Sequence, residues 1–156
     1  MLEYGRLFNF NSQAWPPLLQ RKVTIPAAQV LTSFSTPVIV IPAITNALIL
    51  LENFVCHKPA GIAYTIAGVT NVGLRWTIGG TSINAFAPGG ILDSATAVTL
   101  VMRGAGSSVS LFTGIGAGQF GSAIEFACSG ANPAAGTSDF TYWLSFRVWN
   151  NGPLAY

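Results

Sequence analysis

Cys56, His57 and Cys128 are the side chains best suited to chemistry in this chain, since a thiolate beside an imidazole makes a nucleophile with its base, and the same groups ligate zinc. Their spacing argues against both. Cys56 and His57 are adjacent, so on a strand they point to opposite faces. His57 is the only histidine, and a zinc site needs three or four ligands at suitable spacing. The carboxylates are Glu3, Glu52, Asp93, Glu125 and Asp139, and no spacing among them singles out an acid and base pair. A glycine motif, Gly116-Ala117-Gly118-Gln119-Phe120-Gly121, fits the dinucleotide-binding fingerprint in letters only. That mechanism needs a helix after the glycines, whose amino terminus meets the pyrophosphate. Residues 122–130 instead read as a short strand ending in glycine, so the motif is a turn in a chain with 17 glycines. The expectation is a protein that is not an enzyme, with no catalytic, cofactor or metal site.

Two of the acids make a different demand. Glu52 and Glu125 each interrupt an otherwise apolar strand, and a carboxylate taken out of water must be paired or hydrogen-bonded. Arg75, Arg103 and Arg147 are the candidate partners. The two cysteines are expected as free buried thiols, because the amino terminus shows no basic segment followed by an apolar one, and a cytoplasmic product is the default.

The elements that would position these groups are strands. Residues 140–149 alternate without a break, with Phe140, Tyr142, Leu144, Phe146 and Val148 on one face and Thr141, Trp143, Ser145, Arg147 and Trp149 on the other. In 72–78, Val72, Leu74, Trp76 and Ile78 face one way and Gly73, Arg75 and Thr77 the other. Residues 46–58 are apolar on both faces, with Leu48, Leu50 and Phe54 alternating against Ala47, Ile49, Leu51 and Val55, as in a strand covered on both sides. Residues 23–31 and 36–41 read as a pair of strands joined by a polar turn, with Pro26 and Pro37 near their ends. Further strands are expected at 62–69, joined to 72–78 by a hairpin turn at 70–71, and at 82–86, 95–103, 108–113 and 122–128. Short strands between Gly, Pro, Asn and Ser turns predict an all-β antiparallel sandwich, jelly-roll-like, over 23–150.

Only 8% of the residues are charged while 51% are hydrophobic, against roughly 25% charged in ordinary soluble proteins. The longest apolar run, 38–55, is broken by Pro42, Thr45, Asn46, Glu52 and Asn53, so it is no membrane span. The seven basic residues are scattered and form no stripe for nucleic acid. Either serine, threonine, asparagine and glycine carry the surface, or much of it is buried against other subunits. Residues 1–22 read as an extended arm in which Tyr4, Phe8, Phe10 and Trp15 stand among polar residues before Pro16-Pro17. Those rings either dock on a neighbour or pack back on their own domain. Trp143, Arg147 and Trp149 make one face of the last strand more aromatic than a bare surface, which marks it for partner contact or cover by the arm. Residues 151–156 form a tail.

The run Val23-Thr24-Ile25-Pro26-Ala27-Ala28-Gln29-Val30-Leu31, then Thr36-Pro37-Val38, Ile41-Pro42-Ala43 and Ala63-Tyr64, resembles a group of small bacteriophage virion proteins. Where that group commonly has a proline-alanine and glycine-rich turn, this chain has Ala43-Ile44-Thr45-Asn46. The resemblance implies a sandwich subunit similar to capsid cement or decoration proteins. Its partners would be the major capsid protein and, as a homotrimer, itself; its place would be the capsid surface after synthesis in the host cytoplasm. The alternative is a phage tail or adhesin-type module in which the tryptophans bind a receptor or carbohydrate.

Overall fold

The computed structural model describes residues 16–80, 82–103 and 120–150. The expected arm residues Tyr4, Phe8, Phe10 and Trp15, the strand expected at 108–113, most of the glycine motif and the tail lie outside the described residues.

The longest strands, β3 (Ala47–Lys58) and β8 (Phe140–Asn150), lie side by side at the centre of one four-stranded sheet. β1 (Leu19–Ile25) flanks β8 and β6 (Val98–Arg103) flanks β3, giving the order β1-β8-β3-β6. A second sheet has the order β2-β7-β4-β5, from β2 (Val38–Ile41), β7 (Ile124–Ser129), β4 (Asn71–Trp76) and β5 (Ser82–Phe86). Every pairing is antiparallel. The chain is thus an all-β sandwich of two sheets.

Its core comes from the inward residues of both sheets, and the β8 alternation is as the sequence requires: Phe140, Tyr142, Leu144 and Phe146 are buried. Aromatic rings run through the core as a connected series. Tyr64 lies 6.1 Å from Phe140, Phe140 5.8 Å from Phe126, Phe126 6.0 Å from Tyr142, Tyr142 5.8 Å from Phe54 and Phe54 6.0 Å from Phe86. Tilted and edge-on contacts at these spacings add to the burial energy of the rings.

β3 corrects the expected grouping of its apolar residues. Its register against β8 shifts between Leu51 and Asn53, and an extra residue in one strand reverses which side chains face inward. Ile49 and Leu51 face the core before the bulge, and Phe54 and Cys56 after it. Phe54 therefore belongs with Ile49 and Leu51, not with Leu48 and Leu50, and Val55 points outward.

The segment 23–41 is not a hairpin. β1 ends at Ile25, residues Ala27–Val30 form the single helical turn α1, and β2 sits in the other sheet. Pro26 ends the ladder, Ala27 and Ala28 favour a helical turn once strand pairing stops, and the Asp139 carboxylate accepts a hydrogen bond from the Ala27 amide at 2.9 Å. Asn132 Oδ1 takes the amides of Phe34 and Ser35, fixing the corner that carries the chain from one sheet to the other. The sandwich also begins earlier than expected: residues 19–22, assigned above to the arm, are the start of β1.

Residues 62–69 are not a strand either, and no hairpin turns at 70–71. Only Thr65 makes an isolated bridge, to Ala134, and Tyr64 is buried with its hydroxyl donating to the Ser138 carbonyl at 2.6 Å. The aromatic side chain is anchored by a loop contact rather than by a ladder. β4 takes β5 and β7 as its neighbours, and Ile78 lies beyond its end, exposed.

Candidate functional site

The cysteine and histidine side chains are held apart by the sheets. Cys56 and Cys128 are free, fully buried and on opposite sheets. Burial pushes the Cys56 thiol from 9.0 up to about 12, with the Tyr142 hydroxyl as a hydrogen-bond partner opposing the rise, and burial also raises Cys128, against which Ser33 acts. His57 points to the other side of β3 from Cys56, where its Nδ1 lies 2.9 Å from Thr99 Oγ1. Among the described residues, no three of His, Cys, Asp and Glu come together in a way that could hold a metal ion. β7 follows directly on the glycine motif where dinucleotide binding requires a helix.

The four described carboxylates are occupied structurally. Arg75 Nε donates to Glu125 Oε1 at 2.7 Å across β4 and β7, and Arg147 Nε donates to Glu52 Oε1 at 2.6 Å across β8 and β3. Both strand acids thus have the arginine partners that their apolar surroundings demand. Asp93 caps the turn at Gly90 through the Gly90 amide.

Lys58 is a group that strand alternation alone did not single out. It is fully buried at the end of β3, and its ammonium donates to the carbonyls of Ser94 at 2.7 Å and of Pro59 and Thr96, both at 3.3 Å. Three donors meet three acceptors, which is what allows an ammonium to be buried without a counter-ion. Burial lowers its pKa from 10.5. Its role is to tie the loop before β6 to β3.

Among the described residues, the outer face of the β1-β8-β3-β6 sheet carries the exposed Trp143 and Val101. Here Trp143, Arg147 and Trp149 stand on one side of β8, as expected, but they do not form one cluster. Arg147 is committed to Glu52, and its Nη1 donates to the Pro16 carbonyl, where the described chain begins. Trp149 stands beside Arg147 along the strand face and is in register with Leu48 on β3, an outward residue that is nonetheless buried. Trp143 is six residues from Trp149, about 20 Å along a strand. It is 43% exposed.

The chain matches no protein-family model and no curated protein.

Register places Lys22, Trp143, Val55 and Val101 in one row across all four strands of the sheet. The Lys22 ammonium sits over the indole, 5.5 Å from its centroid. The neighbouring row is polar: Thr24, Thr141, His57 and Thr99. Its hydroxyls and imidazole link in pairs, Thr24 to Thr141 at 3.3 Å and His57 to Thr99 at 2.9 Å. Trp143 is the one member of these rows that the sequence marked for partner contact, and His57 was singled out only for catalysis or zinc. The others become neighbours only through strand register, which no single segment encodes.

Proposed function

We propose that the chain is a structural virion subunit that binds and stabilises a bacteriophage capsid, acting through the arm and an interface at the Arg147 and Trp149 end of the outer sheet face. What supports this most is the anchoring of Pro16: Arg147 holds its carbonyl on that face, so the aromatic segment 1–15 departs from a fixed point beside Trp149. A fixed root lowers the entropy that the arm must lose when its rings are buried against a neighbour.

The pairing of strands also favours the proposal. β1 pairs with β8, β2 with β7, β3 with β6 and β4 with β5, so the chain is a long hairpin wound over two sheets. That nesting favours a jelly-roll reading, an architecture of viral capsid and lectin domains. The partners are the major capsid protein and two further copies of the chain as a homotrimer, with neither nucleic acid nor membrane involved. Among the described residues, no helix is long and apolar enough to cross a membrane.

The test is a truncation that removes residues 1–15 and leaves Pro16 and β1 whole. The truncated chain keeps its melting temperature and its oligomeric state but no longer decorates purified particles lacking the subunit. Full occupancy by the truncated chain would overturn the proposal. Sedimentation of the intact chain tests the trimer separately.

A further inference from the structure

The Trp143 row lies well away from the arm root, and its chemistry differs from that of a subunit contact. The exposed apolar surface is one residue wide: an indole 43% exposed and Val101 55% exposed, with half-buried Val55 between them. Stable protein interfaces bury about 800 Å² per partner around an apolar centre. One tryptophan and two valines bordered by a row of hydroxyls fall far short of that centre. They suit a single flat ring.

The spacing fits a sugar. Same-face residues along a strand are about 6.7 Å apart, so a pyranose centred on the Trp143 row points its equatorial oxygens at the neighbouring polar row, and a lean of about 1 Å towards it brings them within a hydrogen bond of about 2.8 Å. Threonine hydroxyls donate and accept, as sugar hydroxyls do, and each keeps capacity beyond its single partner in the row. The indole offers an amphipathic surface to the C–H face of the ring.

Charge narrows the class of sugar. The Lys22 ammonium stands over the indole, and neither of the two salt bridges among the described residues involves it. Glu52, on the same sheet, is held 2.6 Å from Arg147. Among the described residues, the row thus carries a positive charge with no carboxylate paired to it, beside the aromatic ring.

We propose that this row binds a carboxylated pyranose, the uronic or sialic acid unit of an acidic glycan. The ring stacks on Trp143, the carboxylate pairs with Lys22, and the hydroxyls bond to Thr141 and Thr24, the polar neighbours on the same two strands. A site of this kind on a virion subunit would hold the particle to an acidic polysaccharide surface. The binding itself does not depend on the capsid proposal, because it is measured on the isolated chain.

The experiment is a titration of the full chain with oligogalacturonate and sialyllactose, with cellohexaose as the neutral control, followed by ligand-observed NMR and calorimetry. At least one acidic sugar is expected to saturate the chain below about 1 mM. Trp143→Ala should weaken binding by about tenfold or more, and Lys22→Gln by about threefold to tenfold. Raising the salt should weaken the wild type more than Lys22→Gln. Trp143 is exposed, so its variants should keep the wild-type melting temperature; Trp143→Phe, which retains a stacking face, should bind between wild type and Trp143→Ala. Three results would overturn the proposal: no acidic sugar bound, equal binding by the Trp143→Ala chain, or equal binding of cellohexaose. Self-association of the wild type that Trp143→Ala abolishes would overturn it too, by assigning the row to a second copy of the chain.

Discussion

Gly136 lies flat against the ring of Tyr64, so closely that a β-carbon at position 136 would stand 2.1 Å from the ring's Cδ1. The ring cannot retreat. Its hydroxyl is bonded to the Ser138 carbonyl at 2.6 Å, and its other contacts include Phe140 in the core. Overpacking a site that cannot relax costs about 1–3 kcal/mol, sometimes more. Gly136→Ala is therefore expected to lower the unfolding free energy by about 3 kcal/mol, seen as a fall in the urea midpoint at unchanged slope.

The two ion pairs should respond differently. Glu125 is nearly buried, with its side chain 12% exposed, while Glu52 is 34% exposed. Arg75→Met strands the Glu125 carboxylate and should cost about 2 kcal/mol, a value reduced from the fully buried case because water reaches Arg75. Glu52→Gln should cost about 1 kcal/mol or less. Adding Glu125→Leu to Arg75→Met should recover most of the loss, since an apolar pair can replace a buried ion pair. Denaturant titration of the two single variants and the double variant checks all three.

These pairs also show what the sequence makes legible. An acid within an apolar strand requires a partner whatever the fold, and so Arg75 and Arg147 could be named as candidates before any register was known. The β8 alternation is legible for the same reason, since its period needs no other strand to be seen. The bulge in β3 was hidden because both faces of that strand are apolar, so a reversal of facing changes nothing in the letters. The helical turn after Pro26 depends on Asp139, 112 residues on from Ala27, to hold its first amide. The Trp143 row needs three strand pairings at once, and its members share no sequence signal.

Alkaline pH should unfold the chain early. Burial raises the pKa of four core acids: Cys56 from 9.0 to about 12, Tyr64 from 10.0 to about 12, with Cys128 and Tyr142 moving in the same direction. In the unfolded chain these groups ionise near pH 9 to 10, while in the folded chain they keep their protons. The folded state then holds more protons than the unfolded one, so stability that is complete below pH 9 is lost as pH rises towards 12. Each group contributes up to about 1.4 kcal/mol per pH unit once its unfolded form has ionised. Lys58 acts in the opposite sense, because its lowered pKa makes its burial unfavourable below the folded value and relieves that cost as pH approaches 10.5. One such group is outweighed by four. Unfolding free energies measured from neutral pH upward should be level and then fall above pH 9, with a shallower fall in the Cys56→Ala/Cys128→Ala chain.

The same thiols report on opening of the sandwich. Thiol reagents attack the thiolate and need access, yet Cys56 and Cys128 are fully buried and their pKa values are raised. In the native chain labelling must wait for the sheets to separate. At mildly alkaline pH an aromatic disulfide reagent should react with both thiols at once in denaturant and only slowly without it. Where closing outpaces reaction, the slow rate follows the population of the open form. Gly136→Ala, at about 3 kcal/mol, should then accelerate labelling on the order of 100-fold. If the open form that exposes the cysteines is a local one that leaves the Tyr64 loop intact, labelling will not change with this substitution. An unchanged rate would mean that Tyr64 and the two cysteines do not unfold together, and that the aromatic series through the core is not a single cooperative unit.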